Sequence, residues 1–244
     1  VAGRIRFDEY GGVLRLDSTP VRLDWPVALR APEELRLQGS VAAWRDGAGG
    51  WQLGTGGLGV RGKDFGAQLR LAMGFQADRS KPSFDLAAHL DPASVQTAKR
   101  FWILHKMPPS TVRWLDEALV SGDVTDGRIA IGGDLDDWPF ADKGGAFDAR
   151  AHVSDATVKF SKDWPLGEHM ELDLDFFGRG FGLAGSGELL GNKVTSVVGG
   201  IERFHEPVLK LDIGADSEGE QLRQLLLHSP LEKDYGEHMR ALTI

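Results

Sequence analysis

The chain of 244 residues carries 28 Lys and Arg against 36 Asp and Glu, a formal net charge of −8, and no clustered basic stripe, which excludes the electrostatic footprint of a nucleic-acid binder. Its 41% hydrophobic and 26% charged content describes a chain that folds, and zero Cys removes disulfide frameworks, CxxC redox pairs and thiolate metal sites. Gly reaches 32 residues and no run of about 18 apolar residues occurs, so short strands joined by tight turns are expected, with no membrane-spanning helix.

The chain opens without Met in a strand-like run from Gly3 to Glu9, and Val1 to Tyr10 has neither the basic nor the apolar region of a signal peptide. Together with a close at Ile244 just after a helical segment, this reads as a fragment whose export signal lies elsewhere. Alternating apolar and polar residues, the mark of strands with one buried and one wet face, then dominate. Leu69, Leu71, Met73 and Phe75 share one face of a strand. Phe84, Leu86, Ala88 and Leu90 share one face of the next, across the breaker stretch Asp78 to Pro82, which makes the pair a hairpin.

Two helices interrupt the middle. Asp91 suits an N-cap and Pro92 a first turn, giving a helix to about Arg100. Ser110 can cap a second helix with Val112, Leu115 and Leu119 on one face, stopped by Gly122. Alternation resumes with Ile129 and Ile131, then Phe147, Ala149, Ala151 and Val153, then Met170, Leu172, Leu174 and Phe176, then Leu209, Leu211 and Ile213. A third helix is expected from Ser217 to Leu227. Turn pairs at Asp46-Gly47, Gly49-Gly50, Asp126-Gly127, Gly144-Gly145 and Gly199-Gly200 make the connections too short for crossover helices, so the sheet is antiparallel. The expected sections are residues 1–91, a helical insert over 92–120, and 121–244.

Asp-Trp-Pro recurs at Asp24-Trp25-Pro26, Asp137-Trp138-Pro139 and Asp163-Trp164-Pro165. Pro removes a ladder donor and Trp offers an apolar plate, so Trp25, Trp138, Pro139, Trp164 and Pro165 read as structural strand-end residues. The remaining motifs are weak. Gly57 to Gly62 matches GxGxxG but precedes a strand where dinucleotide binding needs a helix. Gly185-Ser186-Gly187 lacks the flanks and the strand-to-helix context of a hydrolase elbow and reads as a bulge or turn. Asp134, Asp136 and Asp137 lack the rest of a calcium loop, and the seven His are scattered without ligand spacing. No metal, cofactor or catalytic residue is expected.

The stretch from Trp114 to Leu231 resembles the YhdP branch of the AsmA-like proteins. The resemblance is carried by Trp114 to Leu119, Ser121-Gly122 with Val124 and Asp126-Gly127, Gly133 to Phe140, Gly145 with Phe147 and the strand through Val153, Asp163-Trp164-Pro165, and Leu225 to Leu231. It implies an extended, curled antiparallel sheet, a β-groove with two to three short helices, cut from a large periplasmic protein tethered to the inner membrane through a segment absent from this chain. It further implies phospholipid as the partner, carried between inner and outer membrane in support of the outer-membrane permeability barrier. Adjoining segments of the same full-length chain and proteins of either membrane would be the other contacts, and no catalytic motif carries over. The Phe101 to Met107 segment is more apolar than a connector should be.

On that reading the lipid-contact residues are Leu69, Leu71, Met73, Phe75, Phe84, Leu86, Ile129, Ile131, Phe147, Val153, Leu172, Leu174, Phe176, Leu209, Leu211 and Ile213. Transferring acyl chains through water costs about 0.8 kcal/mol per methylene, and an apolar trough removes most of that. Periodicity alone fits the closed core of a β-sandwich equally well, because both demand the same alternation. Two other functions therefore stand beside lipid transport: a non-transporting envelope scaffold or protein-docking domain, and a carbohydrate-active β-sandwich suggested by seven Trp and abundant Asp.

Overall fold

A computed structural model describes residues 3–24, 30–78, 82–101, 108–134, 137, 140 and 144–241. The protein is mainly β. Strands β1 (Gly3–Phe7), β2 (Gly11–Leu23), β3 (Glu33–Arg45), β4 (Trp51–Arg61), β5 (Gly66–Phe75), β6 (Ser83–Leu90) and the short β7 (Ala93–Ser94) lead into α1 (Val95–Ala98), a 3-10 turn at Lys99–Phe101, and α2 (Pro109–Ala118). There follow β8 (Leu119–Asp134), β9 (Gly145–Val158), β10 (Gly167–Phe177), β11 (Gly180–Leu189), β12 (Asn192–Ile201), β13 (Lys210–Asp216), α3 (Gly219–Leu227) and α4 (Glu232–Ala241). The strands hydrogen-bond in chain order in one 13-stranded sheet, with β7 alone off the path, paired to β8.

Two compact units share this ladder. Unit 1 is Val1–Ala93, Asp126–Ala151 and Asp175–Arg179, and unit 2 is Ser94–Thr125, His152–Leu174 and Gly180–Ile244. All described helices belong to unit 2. Unit 1 is built from hairpins, the first of them closed by Asp8, whose carboxylate accepts from the amides of Tyr10 and Gly11. Asp46 does the same for Ala48 and Gly50 between β3 and β4, so its pKa is held below the ordinary value, chiefly by the Gln52 side-chain amide and then by the Gly50 amide. Register shifts interrupt the β2–β3, β3–β4 and β4–β5 pairings. Bulges of this kind add local twist. Gly39, at φ +143°, sits at one: a Cβ there would lie 2.5 Å from the Gly57 carbonyl oxygen.

The helices differ from expectation at their ends. The first does not start at Asp91-Pro92, because Ala93–Ser94 stay extended to pair with β8, and Ser94 is the N-cap, accepting from the Thr97 amide at 3.2 Å. Nor is Ser110 the cap of α2, whose N-cap is Pro108; the helix ends at Ala118 because Leu119 turns extended and starts β8. Gly122, at φ +132°, lies inside that strand, where a Cβ would come within 2.9 Å of Ala156 Cα. Helix α3 forms where expected, on a capping box of Glu218 and Gln221. Helix α4, sparse in apolar residues, follows the third expected helix and carries the helical segment close to Ile244.

Candidate functional site

In unit 1 the register gathers the expected aliphatic side chains into rows. Leu69 pairs with Ala88 and Ala88 with Ile129; Leu71 pairs with Leu86 and Leu86 with Ile131; Met73 pairs with Phe84. Directly opposed residues of antiparallel strands point to one face, so these rows form a single aliphatic surface. Further pairs extend it through Leu53 opposite Met73, Leu58 opposite Leu69, and Leu37 opposite Val60. Leu53, Leu58 and Val60 were missed because the register shift at Gly56-Gly57 breaks strict period two in β4, and Leu37 was missed although Glu34 to Gln38 alternates cleanly.

These side chains are half-buried, with Phe75 42% exposed. Among the described residues unit 1 has no helix and no second sheet of its own. Phe147, on β9, and Phe176, on β10, are half-buried members of the same unit.

Unit 2 treats the same alternation differently. Val153, Leu172 and Leu174 are buried, together with Met170, Phe181 and Val197. Helix α2 contributes to the cover: Leu115 and Ala118 are buried, the Trp114 ring lies 5.8 Å from that of Phe181, and Trp114 Nε1 donates to the Phe160 carbonyl at 3.0 Å. Leu211 and Ile213 on β13 pair with Gly199 and Val197 and remain half-buried, as does Leu209 just before the strand. The expected lipid-contact residues therefore divide into an uncovered set in unit 1, a covered set in β9 and β10 of unit 2, and a half-covered set at β13.

The opposite face is charged. In unit 1 Arg61 pairs with Asp91 at 3.1 Å and Arg150 with Asp148 at 3.0 Å. In unit 2 His152 Nδ1 lies 2.8 Å from Asp173 and its Nε2 3.3 Å from Glu171, while His169 lies 2.7 Å from Asp155. The hydrogen bond to Asp173 raises the pKa of His152, and that to Asp155 raises His169. The Asp155 backbone amide, followed by the Ser154 side chain, lowers that of Glu171. Such exposed pairs add little stability.

A hollow of 490 Å³ in unit 1 is lined by Ala72, Ala87, Ala130 and Ala146, by Arg70, Asp85 and Asp148, and also by Thr55, Leu71, Leu86, Ile131 and Gly132.

Among the described residues no group of three His, Asp or Glu could hold a metal ion, and no helix is long and apolar enough to cross a membrane. The Gly57–Gly62 motif lies at the end of β4 and the turn after it, without a following helix, and Gly185–Gly187 marks a bulge in β11. Of the Asp-Trp-Pro residues, Trp164 and Pro165 are half-buried in the β9–β10 turn, where the Trp164 carbonyl accepts from Lys159 Nζ. Trp25, Trp138 and Pro139 lie outside the described residues, as do residues 102–107 of the apolar segment.

The family model described as YhdP protein matches residues 1–244. The chain is also similar to the Intermembrane phospholipid transporter YhdP of Escherichia coli (strain K12), 21% identical over 234 residues that cover 96% of this chain and 18% of that protein. The chain thus spans less than a fifth of the length of that curated relative. No solved structure matches.

Proposed function

This chain belongs to the YhdP protein family, and from that premise we propose that the uncovered aliphatic face of unit 1 holds phospholipid acyl chains as one section of a bridge-like lipid transporter. The observation that carries the reading is the incomplete burial of Leu69, Leu71, Met73, Phe84, Leu86, Ile129 and Ile131, aligned by register on one face in a unit that has no helix and no second sheet of its own among the described residues. Leaving such a surface in water is costly at about 25 cal/mol per Å² of apolar area, and acyl chains relieve that cost without fixed hydrogen bonds that would stop them sliding. Strands stand about 4.8 Å apart, so the paired run from β2 to β6 and β8 supplies a wall roughly 24 Å long. A single section of that length needs adjoining sections to cross an aqueous space.

The name of the relative, an intermembrane phospholipid transporter, supports phospholipid as the cargo and an envelope location. On this reading the section works in the periplasm, its full-length chain tethered to the inner membrane through a segment outside these residues. Its contacts are adjoining sections of that chain and proteins of the two membranes, its effect is to sustain the outer-membrane permeability barrier, and it performs no catalysis. Native mass spectrometry of protein purified without detergent is expected to show phospholipid adducts, lost in a folded L71D/L86D variant. Adducts undiminished in that variant, or none in the parent protein, would reject the reading.

A further inference from the structure

We infer that helix α2 is a resident occupant of the apolar face in unit 2, taking there the place that acyl chains take on unit 1, so that lipid is held by Leu71 and Leu86 and excluded from Leu172 and Leu174. The inference rests on the lipid-holding function proposed above and locates where that surface ends.

Strand β9 shows the contrast within one element: Phe147, Ala149, Ala151 and Val153 alternate along it, yet Phe147 is half-buried while Val153 is 1% exposed. On β10 Leu172 is likewise only 2% exposed. To a leucine on the sheet, the apolar face of a helix and a hydrocarbon chain are equivalent surroundings, since both remove its surface from water.

Helix α2 is built to be held by this face and not by itself. Ten residues are too few for a helix to persist alone in water, and Pro108 at its N-cap provides no side-chain hydrogen bond. What fixes it is docking: the Trp114 ring by Phe181, its Nε1 on the Phe160 carbonyl, Leu115 inside, and the Lys99 ammonium donating to the Asp116 carbonyl at 2.7 Å. The fit has one polar flaw. Thr111, 2% exposed, presents a buried hydroxyl with no hydrogen-bond partner among the described residues, so its inner surface is less favourable than an all-apolar helix would be.

Replacing leucine throughout the 244-residue chain by its photoreactive diazirine analogue, irradiating with vesicles of phosphatidylethanolamine and phosphatidylglycerol, and mapping the adducts by peptide mass spectrometry tests this. Lipid adducts are expected on Leu71 and Leu86 and at background on Leu172 and Leu174. In W114A/L115A protein that retains its far-UV circular dichroism, Leu172 is expected to become labelled. If that pair does not fold, W114A alone is read the same way. Equal labelling of Leu86 and Leu172 in the parent protein overturns the inference and leaves the proposed function standing, as does a folded variant in which Leu172 stays unlabelled. Absence of adducts on Leu71 and Leu86 would sink the proposed function itself.

Discussion

The difference between a covered and an uncovered apolar face has an energetic signature at two leucines. Leu172→Ala and Leu86→Ala each delete three carbon atoms, worth roughly 2.4 kcal/mol of transfer free energy at about 0.8 kcal/mol per methylene. At Leu172, 2% exposed in unit 2, the whole transfer term is lost and an enclosed void remains, which brings the expected cost to about 3–5 kcal/mol. Leu86 keeps part of its surface in water, so less than the full transfer term applies and the gap stays open to solvent. Its expected cost is about 1.5–2 kcal/mol by the same coefficient.

Hydrogen exchange read by mass spectrometry separates the two units, because β10 and β6 peptides report local opening in each. A difference of about 2 kcal/mol corresponds to roughly 30-fold more opening in L172A at β10 than in L86A at β6. Equal destabilisation at both sites would mean that Leu86 lies beneath a cover, and the reasoning from a single exposed layer would fail.

Asn192, 1% exposed, ties the β11–β12 turn to α3: its Nδ2 donates to the carbonyls of Leu189 at 2.8 Å and Gln221 at 3.3 Å, and its Oδ1 accepts from Ser217 Oγ. Asn192→Ala is expected to cost about 2–3 kcal/mol through the stranded partners and to speed amide exchange in α3, and an effect no larger than that of Ser196→Ala would refute this. His152 is expected to titrate above the ordinary histidine value, because Asp173 and Glu171 stabilise its charged form. Its stabilising contribution is therefore complete below about pH 6.5 and lost as the pH rises through the folded value. Imidazole NMR should show a raised midpoint that falls in D173N, and an unchanged midpoint in that variant would remove Asp173 as the cause.

Strand existence and antiparallel pairing were legible because they depend on short-range chemistry: period two in Leu69 to Phe75 and Phe84 to Leu90, with Asp and Gly between runs, leaves few alternatives to a meander. The aliphatic face of unit 1 was legible in β5, β6 and β8 for the same reason. It was hidden in β4, where the register shift at Gly56-Gly57 puts Leu58 and Val60 out of step with Leu53, whereas Leu37 in β3 stands in clean alternation. Helix ends were misplaced at Asp91, where pairing of Ala93–Ser94 with β8 outweighed the local capping signal, and at Ser110, where the helix already starts at Pro109 behind Pro108.

By itself the sequence determined which side chains share a face, since alternation follows from backbone geometry that every strand obeys. Whether a face is covered is a different matter, because Leu71 and Leu172 stand in the same kind of pattern and nothing nearby distinguishes them. Only the tertiary structure decided that: Leu172 is 2% exposed in unit 2, where α2 docks on Phe160 and Phe181, while Leu71 is half-buried in unit 1, whose described part holds no helix. Burial depends on what arrives from elsewhere in the chain, and local periodicity carries no record of it.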